Sequence, residues 1–208
     1  MTTQEVMKWR YATKKFNGEK IAQEDLDYIL QAGNLSATSY GLQPISFVVV
    51  SDDEIKEKLL PHAYNQMQVT SCSDLIVICA STQIDEVYIK EYISRLESER
   101  GMEEGTLAEF QKVIISDVTN RSEEERTTWA HKQGYITLGS MMIAAAEKKI
   151  DGCPMEGFDN ARFDEILRLS EHNLTSTVIF PVGIRSEEDE TQHYRKVRKD
   201  LEKIVIRK

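Results

Sequence analysis

Arg10 and Lys14 stand four residues apart in the basic run Arg10-Tyr11-Ala12-Thr13-Lys14-Lys15-Phe16, at the exit of a first helical segment. Two cations together with backbone N–H groups could jointly hold a phosphate or an electron-rich ring. The same run also reads as a solvated basic patch, which is the plainer reading of the run taken alone. A second cluster is Pro154-Met155-Glu156-Gly157-Phe158-Asp159. A Gly between Glu and Phe suggests a tight bend that can approach a flat ligand closely. It is equally an ordinary turn with Asp159 as the N-cap of the next helix. The third is Lys196-Val197-Arg198, where alternation along an extended segment puts both cations on one side, able to clamp a phosphate. Its alternative is a charged surface run within Arg195–Lys199.

Other chemistries find less support. His62, His131, His172 and His193 are scattered and form no His-x-x-x-His pair, so no metal site is expected. Cys72, Cys79 and Cys153 make an odd count without metal-type spacing, and read as small buried thiols in a reducing compartment. Neither a Gly-x-Gly-x-x-Gly after a strand nor a Walker A pattern occurs, so a Rossmann or P-loop nucleotide site is not expected. The Gly-x-Ser-x-Gly elbow of serine hydrolases is absent as well.

The elements that must position these clusters follow from periodicity and punctuation. Thr2 or Thr3 caps a helix through Trp9, and Ala22–Ala32 forms an amphipathic helix on Leu26, Ile29 and Leu30 with Gly33 as its stop. Asn34–Pro44 is a polar loop. Ile45–Val50 and Leu75–Ala80 are strands, as is Leu174–Ile184. Asp52 and Asp53 open a helix through Leu60, ended by Pro61, and a short helix covers Asn65–Ser71. Asp85–Arg126 is charged and helical in pattern. Thr127–Lys149 is a long helix, apolar on most sides in its second half and therefore central. Leu201–Arg207 alternates well enough for a last strand. Three or four short strands among long helices make an α+β or three-layer α/β domain.

The 208 residues suit one such domain, and the 40% hydrophobic content suffices for a core. With 26 Lys plus Arg against 35 Asp plus Glu, the net charge is −9, which argues against broad binding to nucleic acid or anionic membrane. The longest apolar stretch, around Ile136–Ala146, is too short to span a bilayer. The polar start Met1-Thr2-Thr3-Gln4-Glu5 lacks the apolar region of a signal peptide, so a cytoplasmic protein is expected.

Taken together and in order, the clusters resemble the FMN-dependent nitroreductase family, closest to its oxygen-insensitive NAD(P)H nitroreductase and dihydropteridine-reductase-like branch. Arg10–Phe16 is similar to that family's Arg-x-Ser/Thr-x-Arg/Lys-x-Phe opening. Ala37-Thr38-Ser39-Tyr40-Gly41-Leu42-Gln43-Pro44 looks like its Gln-Pro loop before a strand. Asn65 stands where the family has a flavin-contacting Asn. The long helix with Trp129 and Gln133, ending in Cys153-Pro154-Met155-Glu156-Gly157-Phe158, resembles its central helix and Pro-x-Glu-Gly-Phe turn. Lys196 and Arg198 match its C-terminal Lys-x-Arg. The chain departs from the pattern at Ile45 (commonly Trp), Ala12 (usually a small hydroxyl residue) and Gln68 (often Lys).

The resemblance implies an α+β, nitroreductase-like three-layer sandwich over residues 1–208. A central mixed sheet would be flanked by helices, with a C-terminal dimerisation arm at about 185–208 whose last strand is exchanged in a homodimer. It implies tightly bound FMN and NAD(P)H as co-substrate. Arg10, Lys196 and Arg198 would take the FMN phosphate, Lys14 would lie near flavin N1 and O2, and Tyr11, Ala12 and Gln68 would also contact the cofactor. Asn65 would face the N3–O4 edge. The Glu156 and Gly157 backbone would lie against N5, with Pro154 and Met155 also contacting the cofactor, and Lys14 and Glu156 would tune the flavin. Thr38, Ser39, Gly41 and Gln43 lie in the remaining contact loop, with Ser39 and Gly41 reaching the cofactor from the partner subunit. The implied reaction is ping-pong transfer of two electrons from NAD(P)H to a nitroaromatic, quinone or similar flat acceptor, with no protein nucleophile. A flavin carrier or sensor with little turnover is the alternative.

Overall fold

The computed structural model describes residues 1–208. In chain order the elements are α1 (Thr3–Trp9), α2 (Gln23–Asn34), β1 (Ile45–Val50), α3 (Asp53–Leu59), α4 (Gln68–Ser71), β2 (Asp74–Ser81), α5 (Glu86–Glu99) and α6 (Ala108–Thr119), followed by α7 (Glu123–Glu147), β3 (Asp151–Gly152), α8 (Asn160–Ile166) and β4 (Leu174–Gly183). Side-chain caps set several helix starts. Thr2 and Glu5 close a capping box on α1, Ser122 and Glu125 one on α7, and Asp52 and Asp159 cap α3 and α8.

The sheet runs β1-β2-β4-β3, and every strand pair is antiparallel. The expected mixed sheet is therefore corrected within one chain; the one parallel pairing is an isolated bridge between Ala12 and Gly152. Side-chain alternation builds the three layers. Ile76, Ile78, Val178, Phe180 and Val182 face α2 and α7, meeting Leu26, Ile29, Leu138 and Met141. Leu75, Val77, Cys79 and Ile179 face the other way, onto Leu59, Val69 and Phe163 of α3, α4 and α8. A bulge between Ile78 and Cys79 leaves Thr177 as the extra residue of β4. A satellite core under α5 and α6 joins Leu42, Ile84, Ile89, Ile93, Ile114 and Val118 to Ala130 of α7.

Several expectations shift. The long helix starts at Glu123 instead of Thr127, because Ser122 supplies the cap. Gly33 lies inside α2, buried against Met141 and Phe47, and does not stop the helix. Only Gln68–Ser71 of the expected Asn65–Ser71 helix forms, since Tyr64 and Asn65 both adopt left-handed φ (53° and 54°). The charged 85–126 segment is two helices. Residues Leu201–Arg207 form no strand: a single 3-10 turn spans Leu201–Lys203, and Leu201, Ile204 and Ile206 are exposed. A strand needs a neighbour for its backbone groups, and within one chain this segment has none. No helix is long and apolar enough to cross a membrane.

Candidate functional site

At the Asp74 end of β2 the chain gathers cations. Arg10 is the C-cap of α1, where the last carbonyls of that helix have no helical partner. Lys196 supplies one: its Nζ donates to the carbonyls of Met7 (2.5 Å), Lys8 (3.1 Å) and Arg10. The ammonium thus sits at the negative end of the α1 dipole. Arg10 is half-buried, and its guanidinium donates no hydrogen bond within the chain. Burial pulls its pKa down first, and the charge of Arg198 adds to this. Lys196 is lowered by burial, then by Arg10 and Arg198. Arg198 Nη1 reaches no further than the carbonyl of Val197, at 2.6 Å. Three cations raise one another's energy here and no carboxylate pairs with any of them; a phosphate dianion would relieve that repulsion, so the residues fit such a group.

Lys14 belongs to the same end. Its Nζ lies 3.9 Å from the buried Cys153 Sγ. Burial pushes that thiol's pKa up, and Lys14, Arg10 and then Gln68 partly offset the rise. Arg10, Lys14 and Gln68 therefore converge around one sulfur. The segment carrying Lys14 is fixed on both sides, by the Ala12–Gly152 bridge and by pairing of Phe16 with Arg185. Beneath it lies Asp189, buried, accepting from the Lys14 N–H at 2.8 Å and the Tyr11 hydroxyl at 2.9 Å. Arg185 stacks between the rings of Trp9 and Tyr11 (4.5 and 4.7 Å) and its Nε donates to buried Asp151 at 2.9 Å.

The Pro154–Phe158 turn runs from this end toward mid-sheet. Met155 pairs with Ile179 of β4, while Gln66 Nε2 donates to the Gly157 carbonyl at 2.9 Å. A Cβ on Gly157 would lie 3.2 Å from that amide, so a glycine is what lets Gln66 in. Tyr135 of α7 donates to Glu156 Oε1 at 2.7 Å; burial and then Glu156 push its phenol up to about 12. Asn65, exposed and left-handed, keeps its side-chain amide free of protein partners.

Thr38, Ser39, Gly41 and Gln43 sit elsewhere. Their loop returns to the sheet where Ser81 donates to the Pro44 carbonyl, at the far end of β2. That strand has eight residues, so the two regions are separated by roughly 20–25 Å of sheet. Buried Gln133 of α7 accepts from the Ser39 N–H at 2.9 Å, and Thr38 Oγ1 accepts from the Gln43 N–H at 3.0 Å. Tyr92 donates to the Tyr40 carbonyl (2.7 Å) and Tyr88 to those of Leu42 and Gln43 (2.9 and 3.0 Å). Tyr40, Gly41 and Gln43 all have positive φ. Tyr88 and Tyr92 of α5 thus buttress this loop.

The structure brings Arg10, Tyr11, Ala12, Lys14, Gln68, Lys196 and Arg198 together, sets Asn65 beside the Pro154–Gly157 turn, and places Thr38–Gln43 away from both. Asp189, Gln66, Tyr88 and Tyr92 were not singled out by sequence. Tyr88 and Tyr92, four apart on one helix, offered the one usable signal.

Comparison with known proteins identifies the family and the fold. Residues 7–184 match the model of the nitroreductase family. A Staphylococcus haemolyticus protein assigned as an NAD(P)H nitroreductase is 36% identical over 95% of this chain and 93% of its own length. Among solved structures, a Bacillus subtilis protein assigned as a nitroreductase superposes with a TM-score of 0.88 at 23% identity, covering 99% and 98% of the two chains. An Exiguobacterium sibiricum protein of the same kind, crystallised in complex with FMN, gives a TM-score of 0.85 at 21% identity over 100% and 98%. At these identities the two superpositions speak for the fold.

Proposed function

The chain belongs to the nitroreductase family, and on that premise we propose that it is an FMN-dependent oxidoreductase that passes two electrons from NAD(P)H to nitroaromatics, quinones or similar flat acceptors in a ping-pong cycle. The observation that carries the reading is the group Arg10, Lys196 and Arg198, three cations with no carboxylate among them. FMN, when bound, accepts the hydride and returns the electrons, and no protein nucleophile is needed.

This chain's residues bind and orient. Arg10 and Arg198 hold the phosphate through charge-assisted hydrogen bonds, and Lys196, its donors directed at the α1 carbonyls, adds its positive charge to the phosphate site. Lys14 keeps a fixed positive charge at the pyrimidine edge, where reduction builds negative charge; only such differential stabilisation favours electron transfer. Asn65 offers a donor and an acceptor to the N3–O4 edge. Gln66 and Tyr135 hold the Gly157 carbonyl and the Glu156 carboxylate, fixing the backbone expected against N5.

Ser39 and Gly41 lie at the opposite end of the sheet from Lys14, so one chain does not complete the site. A homodimer, in which the partner's loop meets this chain's cations, resolves that separation. The exposed Leu201, Ile204 and Ile206 and the half-exposed Ile136 of α7 are the apolar surfaces such a dimer would cover.

The test is direct. The purified protein should be a yellow dimer whose released flavin is FMN, bleached by NADPH or NADH without oxygen and recoloured by a quinone. A yellow protein that neither reductant bleaches would be a carrier or sensor. A colourless one that does not take up FMN would overturn the reading.

A further inference from the structure

Asp189 is 3% exposed, yet no lysine or arginine lies within ion-pair distance of it. Its charge is carried by neutral donors. Oδ2 accepts from the backbone N–H of Lys14 (2.8 Å), that of Lys15 (3.3 Å) and the Tyr11 hydroxyl (2.9 Å). Oδ1 accepts from the Thr191 N–H (3.0 Å) and hydroxyl (2.5 Å). Burial pushes the carboxyl's pKa up, but the Thr191, Lys14, Tyr11 and Lys15 donors outweigh it and hold the group below the usual carboxylate range.

Two consecutive N–H groups directed at one oxygen fix the peptide planes on both sides of Lys14, and with them the direction of its Cα–Cβ bond. Nothing else restrains the side chain: it is exposed, and its only polar neighbour is a thiol at 3.9 Å. A long lysine stem loses much rotamer freedom when ordered, so where its backbone points largely decides where the charge dwells.

We infer that Asp189 is a positioning residue that aims the Lys14 ammonium at the bound flavin while its own buried negative charge is neutralised by backbone and hydroxyl donors. The inference rests on the FMN reading above, and it adds a residue that contacts no cofactor.

The test pairs Asp189→Asn with Lys14→Met and their double variant, using the FMN-loaded dimer. The midpoint potential of bound FMN should fall in Asp189→Asn and in Lys14→Met, and the double variant should fall no further than Lys14→Met alone. FMN affinity should change by less than about tenfold, because Arg10, Lys196 and Arg198 remain. In the apoprotein, the Lys14 and Lys15 amides should exchange at least about tenfold faster in Asp189→Asn, while the α7 amides keep their protection. If Asp189→Asn does not fold, Asp189→Glu, which keeps the charge and moves it by one methylene, serves in its place with the same expectations. An unchanged potential in a folded variant, or additive shifts in the double variant, overturns the inference and leaves the FMN reading intact. Wild-type protein that takes up no FMN overturns both.

Discussion

The two ends of the sheet hold their loops by different physics. At the Asp74 end the Arg10–Phe16 segment is gripped through its backbone: strand-like bridges at Ala12 and Phe16, and a buried carboxylate under Lys14 and Lys15. The side chains of Arg10 and Lys14 are left without a carboxylate partner, able to meet a ligand. At the Ser81 end the Thr38–Gln43 loop has no strand partner. It is held from outside by Gln133, Tyr88 and Tyr92, and its backbone carries three left-handed residues. The first arrangement presents charge; the second presents a shaped backbone. A charged ligand moiety needs unpaired cations on a fixed base, whereas close approach to a planar ring needs backbone in one conformation.

Three substitutions would sharpen or break that contrast. Asp151→Ala should cost most. Asp151 is buried and accepts from Arg185 Nε and from the Arg185 N–H at 3.0 Å, so its loss strands a guanidinium between two aromatic rings. Removing one partner of a buried pair costs about 3–5 kcal/mol, and the partial exposure of Arg185 brings the expectation to about 3. Urea midpoints would measure it; a loss under 1 kcal/mol would mean the charged end does not depend on this pair. Gly41→Ala comes next. At φ +75° a side chain costs roughly 1–2 kcal/mol, and the new Cβ would sit 2.7 Å from the Tyr92 hydroxyl, displacing it from the Tyr40 carbonyl. A total near 2 kcal/mol is expected in the same assay. Tyr92→Phe is smallest, about 1 kcal/mol for one hydrogen bond. It should also lower the cost of Gly41→Ala, since the clashing oxygen is gone. Strict additivity of the two would show that Tyr92 does not grip the loop.

How far the sequence disclosed these features depended on the kind of signal. β1, β2 and β4 were legible because runs such as Leu75–Ala80 suit buried strands, and caps at Thr2, Asp52 and Asp159 because their hydrogen bonds are local. The cations Arg10, Lys14, Lys196 and Arg198 were legible as a family pattern, although their gathering at one sheet end joins residues up to 188 positions apart. Asp189 was hidden within Glu187-Glu188-Asp189-Glu190, where four adjacent acids look like one solvated surface and only the fold selects the buried one. Asp151–Gly152 is too short to show alternation. Alternation in Leu201–Arg207 suits a strand, but period two gives no partner, and the single chain offers none.

The contacts of Lys196 with Met7, Lys8 and Arg10 span 186 to 189 positions. During synthesis α1 emerges long before the ammonium that satisfies its last carbonyls, which is made almost 190 residues later. Until then α1 is a seven-residue helix with its C-terminal end open, too short to persist by itself. Contacts of such separation come late, since the intervening chain must order before they form. The sheet and its two helical layers can thus assemble before the cation cluster closes. A chain interrupted before Lys196 can therefore bury most of its core and still lack the cluster.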